Sequence, residues 1–185
     1  HPIRWILFPL ALPSGNQMIL ERVLFKHASK NVYLLADAYD GRNIKECMED
    51  ILHMSSGQLP VNITHDGKTI GFGGDSDLLA YIGHNGLMDT DIDVDLYAAA
   101  SSKDVILLGC YTKSYFKEYL LKCNAHPVLW TTHLMAPEAY TLKAAIDGWL
   151  LNETDAQIDE RAAQVYHQYQ KCGIKGARNL MTTGY

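Results

Sequence analysis

Cys110 and His84 are the residues whose types and neighbours most favour covalent chemistry. Cys110 follows the apolar run Val105-Ile-Leu-Leu108 and one glycine, and a helical stripe comes after it. A thiol at a strand-to-helix turn lies near the positive end of the helix dipole, and Lys113 adds a cation nearby. Both favour the thiolate, which is the nucleophilic form. His84 follows the run Leu78–Ile82 within Gly83-His84-Asn85-Gly86. In such a tight turn an imidazole can act as base, and N–H groups around Gly86 can hold an oxyanion. Taken singly, each has a plainer reading. Most free cysteines pack as small hydrophobes, and most loop histidines hydrogen-bond to backbone. Together they gain weight, because sequential strands commonly pair and adjacent parallel strands lie about 4.8 Å apart.

Other polar residues stand at the expected strand ends. Asp37 and Asp40 follow Val32–Ala36, and His133 follows Pro127–Trp130. With Asp89 from the acidic loop Asp89-Thr-Asp91-Ile-Asp93-Val-Asp95, they are the candidate substrate-binding residues. The negative charge of the aspartates would favour a cationic side chain next to the scissile bond. The alternating aspartates lack the glycine and distal glutamate of an EF-hand, so a solvated connection is the leading reading. Asp37, His84, Asp89 and His133 are metal-ligand types, but no HExxH motif or close His pair supports a metal centre, and no cofactor is expected. Gly67, Gly71, Gly73 and Gly74 form no phosphate loop, because a strand rather than a helix follows them.

These residues need elements to position them. The 185 residues suit one domain, 1–185, and 48% are apolar, enough for a real core. Sixteen Lys and Arg against 21 Asp and Glu give a net charge of −5, which argues against a nucleic-acid partner. No apolar run approaches the ~18–20 residues that span a bilayer. The four cysteines show no CxxC spacing and read as reduced thiols, which favours the cytoplasm. The chain begins at His1, so a removed signal peptide stays open, and the sequons at Asn62 and Asn152 matter only in a secreted eukaryotic protein.

Strand patterns occur at Ile3–Phe8, Val32–Ala36, Leu78–Ile82, Val105–Leu108 and Pro127–Trp130. Helices are expected after Ser14, whose capping-box partner is Gln17, with the stripe Ile19, Leu20, Val23 and Leu24. Further helices are expected from Asn43 to about Ser55, over 113–122, over 137–150 from Pro137, and over 155–171 capped by Thr154. Asp66-Gly67 between β-rich runs predicts a hairpin within 61–74. Strands alternating with helices imply an α/β three-layer sandwich with a mostly parallel sheet, flavodoxin-like in outline. Its ligands would bind outside the strand C-terminal ends.

Leu79-Ala-Tyr-Ile-Gly-His84-Asn-Gly86 and Val105-Ile-Leu-Leu-Gly-Cys110 resemble the caspase-like cysteine peptidases, in which one strand ends in His-Gly and the next in Ala/Gly-Cys. Here Asn85 stands between the His and the Gly, and the short gap before Cys110 leaves little room for a crossover helix. The resemblance covers about residues 78–135. It implies a caspase-like fold with Cys110 as nucleophile, His84 as acid–base and Gly86 at the oxyanion, acting on an amide or peptide bond. The chain is also similar to an uncharacterised bacterial family of this general shape, which implies no function. The expected function is therefore a cysteine hydrolase acting on a peptide or small-molecule substrate. The alternatives are a catalytically inactive fold that binds a ligand or partner, and a metal-dependent hydrolase.

Overall fold

The computed structural model describes residues 4–8, 15–65 and 67–185. The chain divides into two compact units, 1–47 and 48–185, with the boundary inside a helix.

The first unit is an antiparallel sheet of β1 (Trp5–Phe8), β2 (Ile19–His27) and β3 (Tyr33–Tyr39), in the order β1-β2-β3. This corrects the helix expected over 14–24. Ile19, Leu20, Val23 and Leu24 lie on the central strand, and Leu20 is 68% exposed, which a core-facing helical stripe would not allow. Pairing on both edges satisfies the β2 backbone and outweighs a local helical pattern that Val23 and Ile19 only weakly support. The proposed cap, Ser14, lies outside the described residues. The strand expected from Ile3 is described from Trp5. Asp37 sits within β3 opposite Arg22, whose guanidinium grips the carboxylate with two bonds of 2.6 and 2.7 Å. Asp40 follows the strand and caps a short 3-10 turn, Gly41–Asn43, while Arg42 Nε bonds its carboxylate at 3.0 Å. Arg42 holds the Asp40 carboxyl down at about 2.

Helix α1 (Ile44–Ser55) spans the boundary, and its Cys47, Met48, Ile51 and Leu52 are buried as the stripe predicts. In the second unit, β4 (Pro60–His65) and β5 (Lys68–Gly73) form the expected hairpin, with Gly67 at φ +72°. That backbone conformation is why the turn takes glycine. Asp66 of the same turn lies outside the described residues.

The second unit then builds a four-stranded sheet in the order β6-β7-β8-β9. Strands β6 (Leu78–Ile82), β7 (Asp104–Leu108) and β8 (His126–Thr131) are parallel, and β9 (Met181–Thr182) pairs antiparallel with β8. The expected mixed α/β class and the mostly parallel sheet are present. The sheet is narrower than expected, because the strands near residues 5 and 33 belong to the separate antiparallel sheet. Val105, Ile106, Leu107, Leu108, Leu129 and Trp130 have no exposed surface, as strands covered on both faces require.

Helix α2 (Thr112–Cys123) joins β7 to β8 and buries Phe116, Leu120 and Cys123. Helix α3 (Ala139–Leu150) begins after Glu138, so Pro137 precedes the helix rather than opening it. Helix α4 (Asp155–Gln170) starts at Thr154, whose N–H donates to the Gln157 side chain at 2.9 Å. Gly148 lets α3 and α4 approach: a Cβ there would meet Glu153 Oε2 at 2.7 Å and Ile158 Cγ1 at 3.0 Å.

Helix α5 (Ile174–Leu180) and β9 have no counterpart in the sequence reading. Arg178 of α5 bonds Glu160 of α4 at 2.7 and 2.6 Å and holds that carboxyl at about 2, helped by Gln164. A carboxylate with a depressed pKa contributes stability above its unfolded pKa and loses it as pH falls through its folded one. Glu160→Gln should therefore lower the thermal midpoint modestly at neutral pH. The difference from the parent should vanish as pH falls toward about 2. Thermal unfolding followed across that range checks this, and added salt should shrink the effect because the pair is exposed.

Candidate active site

Strands β6 and β7 run parallel with Ile82 opposite Leu108, and the Gly83 N–H donates to the Leu108 carbonyl at 3.0 Å. The two chains therefore leave the sheet side by side, one toward His84 and the other toward Cys110. Gly109 makes that closeness possible: a Cβ there would meet the Gly83 carbonyl oxygen at 2.8 Å. The connection from β6 to β7 carries only a 3-10 turn, Gly86–Met88, where a parallel crossover usually carries an α-helix. The short gap in the sequence has this consequence.

Asn85, between His84 and Gly86, is fully buried. Its side-chain N–H donates to the Cys110 carbonyl at 2.7 Å, and its Oδ1 accepts from the Leu87 N–H at 3.2 Å. One amide thus caps the 3-10 turn and ties the histidine turn to the cysteine turn. Asn85→Ala leaves the Cys110 carbonyl without that donor, at an expected cost of about 1–3 kcal/mol. Urea unfolding gives the number, and the alkylation rate of Cys110 should change in the same variant.

The His84 ring is exposed, and its Nε2 bonds the Asp89 carboxylate. The Tyr81 hydroxyl donates to the His84 carbonyl and fixes the backbone behind the ring. Cys110 is half-buried, and its Sγ faces the Met135 carbonyl at 3.7 Å. Among the described residues, no hydrogen bond joins the imidazole to the sulfur. Gly86 is buried at the start of the 3-10 turn, where the N–H has no acceptor within the turn. Its carbonyl accepts from Asp89 N–H, Thr90 N–H and Thr90 Oγ1.

The cysteine turn is braced from β8. Tyr111 takes the left-handed conformation at φ +52°, which costs a tyrosine on the order of 1 kcal/mol. Its N–H donates to the His133 carbonyl at 3.1 Å. Thr112 and Thr131 are both fully buried, with their hydroxyls 2.9 Å apart. The Thr112 hydroxyl reaches the Leu107 carbonyl at 2.9 Å, and the Thr131 hydroxyl donates to the Gly109 carbonyl. His133 follows β8 as expected, with Nδ1 2.7 Å from the Thr132 hydroxyl. One residue beyond Met135, the Ala136 N–H donates to the Tyr166 hydroxyl at 3.0 Å. Burial raises the pKa of that phenol, the Ala136 N–H opposes the rise, and the nearby Cys172 and Cys110 thiols add to it.

His84, Gly86, Asp89, Cys110 and His133 all leave or follow strands of the parallel sheet. Asp37 and Asp40 do not. Asp37 lies in β3 of the antiparallel sheet and Asp40 follows that strand, and each carboxylate is held by an arginine. The aspartates at 89, 91, 93 and 95 are exposed, as a solvated connection would be. Among the described residues, no three His, Cys, Asp or Glu side chains come together as a metal-ligand set.

None of the four cysteines, 47, 110, 123 and 172, is in a disulfide. Burial pushes Cys123 up to about 11, so it is inert at neutral pH, whereas Cys172 is exposed. Sequence reasoning missed the roles of Asn85, Thr131 and Tyr166. The adjacency of Asn85 to His84 was visible, but its bond to Cys110 depends on the parallel register. Among the described residues, no helix is long and apolar enough to cross a membrane. Comparisons with family models, curated proteins and solved structures find no match.

Proposed function

We propose that the chain is a cysteine hydrolase acting on an amide or peptide bond, with Cys110 as nucleophile and His84 as acid–base. The observation that carries this reading is the parallel pairing of β6 with β7, which releases the imidazole and thiol turns from neighbouring strand ends. Asp89 on His84 Nε2 supplies the orienting partner that a catalytic imidazole commonly has. The fold behind it would be a caspase-like three-layer α/β sandwich, and four cysteines without a disulfide suit a reducing compartment.

In the acylation step, the Cys110 sulfur bonds to the substrate carbonyl carbon and the C=O pair moves onto oxygen. The Leu87, Tyr111 and Thr112 N–H groups are already engaged, which leaves those of Gly86 and Cys110 to receive the oxyanion. The C–N bond then breaks as His84, carrying the thiol proton, protonates the leaving amine. Water, losing a proton to His84, attacks the thioester and frees the acid and the thiol.

The lack of a His84–Cys110 hydrogen bond favours a second reading, a non-catalytic fold that binds a ligand at the same edge. Catalytic pairs are often loose without substrate, so turnover decides between the two. A panel of fluorogenic acyl amides, assayed with the parent, Cys110→Ala and His84→Ala, is the test. Hydrolysis lost in both variants supports the enzyme. Hydrolysis absent in the parent, or retained in Cys110→Ala, rejects it.

A further inference from the structure

A cleft of about 350 Å³ opens beside the cysteine turn, walled by His133, Leu134, Tyr166, Cys172, Asn179 and Leu180, with Gly176 on its α5 side. Its link to Cys110 is short. His133 receives the Tyr111 N–H, and Met135 receives the Cys110 thiol. The next residue, Ala136, is tied to Tyr166. The cleft wall and the sulfur are thus held by the same loop, 133–136. No lining residue is Asp, Glu, Lys or Arg. On α5, the Arg178 guanidinium is spent on Glu160.

We infer that this cleft receives the side chain on the acyl side of the bond cleaved at Cys110, and that it selects an uncharged apolar group. The inference rests on the hydrolase reading, and it replaces the cationic preference expected from the acidic residues. A lysine or arginine side chain entering here would lose water without meeting a carboxylate. A leucine- or benzyl-sized group would exchange water for Leu134, Leu180 and the Tyr166 ring.

Gly176 provides the test. A Cβ at this position meets nothing within 4 Å, and the backbone is not in the left-handed region. Because Gly176 lines the cleft, Gly176→Leu should narrow it without a clash, and Gly176→Ala is the control. The probes are N-benzyl and N-aminoethyl iodoacetamide. In each, the thiolate displaces iodide and forms a thioether. Peptide mass mapping separates Cys110 from the exposed Cys172, and rates are normalised to those of free cysteine.

The benzyl probe should label Cys110 about fivefold faster or more than the aminoethyl probe. Gly176→Leu should abolish that preference and Gly176→Ala should keep it. Equal labelling in the parent overturns the inference, as does a preference that survives in a natively folded Gly176→Leu. Alkylation needs no turnover. A benzyl preference without amide hydrolysis would reject the hydrolase reading and leave the cleft's selectivity standing. Hydrolysis without the preference would do the reverse.

Discussion

Cys110→Ala should reduce hydrolysis of a fluorogenic apolar acyl amide by on the order of 10³-fold or more, since it removes the sulfur on which the thioester forms. Folding should be nearly unchanged. The side chain is half-buried, and its polar contact is one long S···O approach to Met135. His84→Ala should cost about 10²–10⁴-fold, the usual range for a lost general acid–base group. Steady-state rates of the two variants, with far-UV circular dichroism as the fold control, measure both effects. A Cys110→Ala protein that retains parent activity would remove the thiol from the chemistry.

The largest stability effect should come from Trp130→Ala. Trp130 is fully buried on β8, with Tyr185 edge-on at 5.6 Å and the Lys113 ammonium 5.3 Å from its ring centroid. Truncation opens a cavity beside the strand that braces the cysteine turn, and should cost about 3–5 kcal/mol. At this size that lowers the thermal midpoint by roughly 6–20 °C. Trp130→Phe should cost far less, under about 1.5 kcal/mol. The indole Nε1–H is buried without a hydrogen-bond partner, so losing it relieves a desolvation penalty that offsets part of the lost packing. Urea unfolding of both variants distinguishes a packing role from an indole hydrogen bond. Equal destabilisation by the two substitutions would contradict this account.

The strands that place Cys110 and His84 were legible because they are buried on both sides or alternate cleanly. Leu78–Ile82 appears where the apolar run predicted it, and Val105–Leu108 extends by one residue. Thr154 and Gln157 announced α4, and Asp66-Gly67 announced the hairpin. Residues 19–24 were misread because Ile-Leu-Glu-Arg-Val-Leu fits a helical stripe as well as a strand, and only pairing with β1 and β3 decides between them. That pairing also removes Asp37 and Asp40 from the parallel sheet. Helix α5 was invisible because Ile174–Leu180 is short and contains Gly176, and β9 is two residues long. At the site, His84 and Cys110 stood out by residue type and turn chemistry. Asn85 did not, because its contribution is a bond to a carbonyl 25 residues away.

Whether Cys110 is an activated nucleophile is read from its iodoacetamide labelling rate, resolved by peptide mass mapping, at neutral pH. That rate should be compared in the folded parent, the denatured chain and His84→Ala. Buried Cys123 should stay unlabelled in the folded protein and serve as the internal fold control. Folded Cys110 should label about tenfold faster or more than the same thiol in the denatured chain, and His84→Ala should remove most of the difference. Labelling no faster than in the denatured chain, or unaffected by loss of the imidazole, would contradict an activated Cys110.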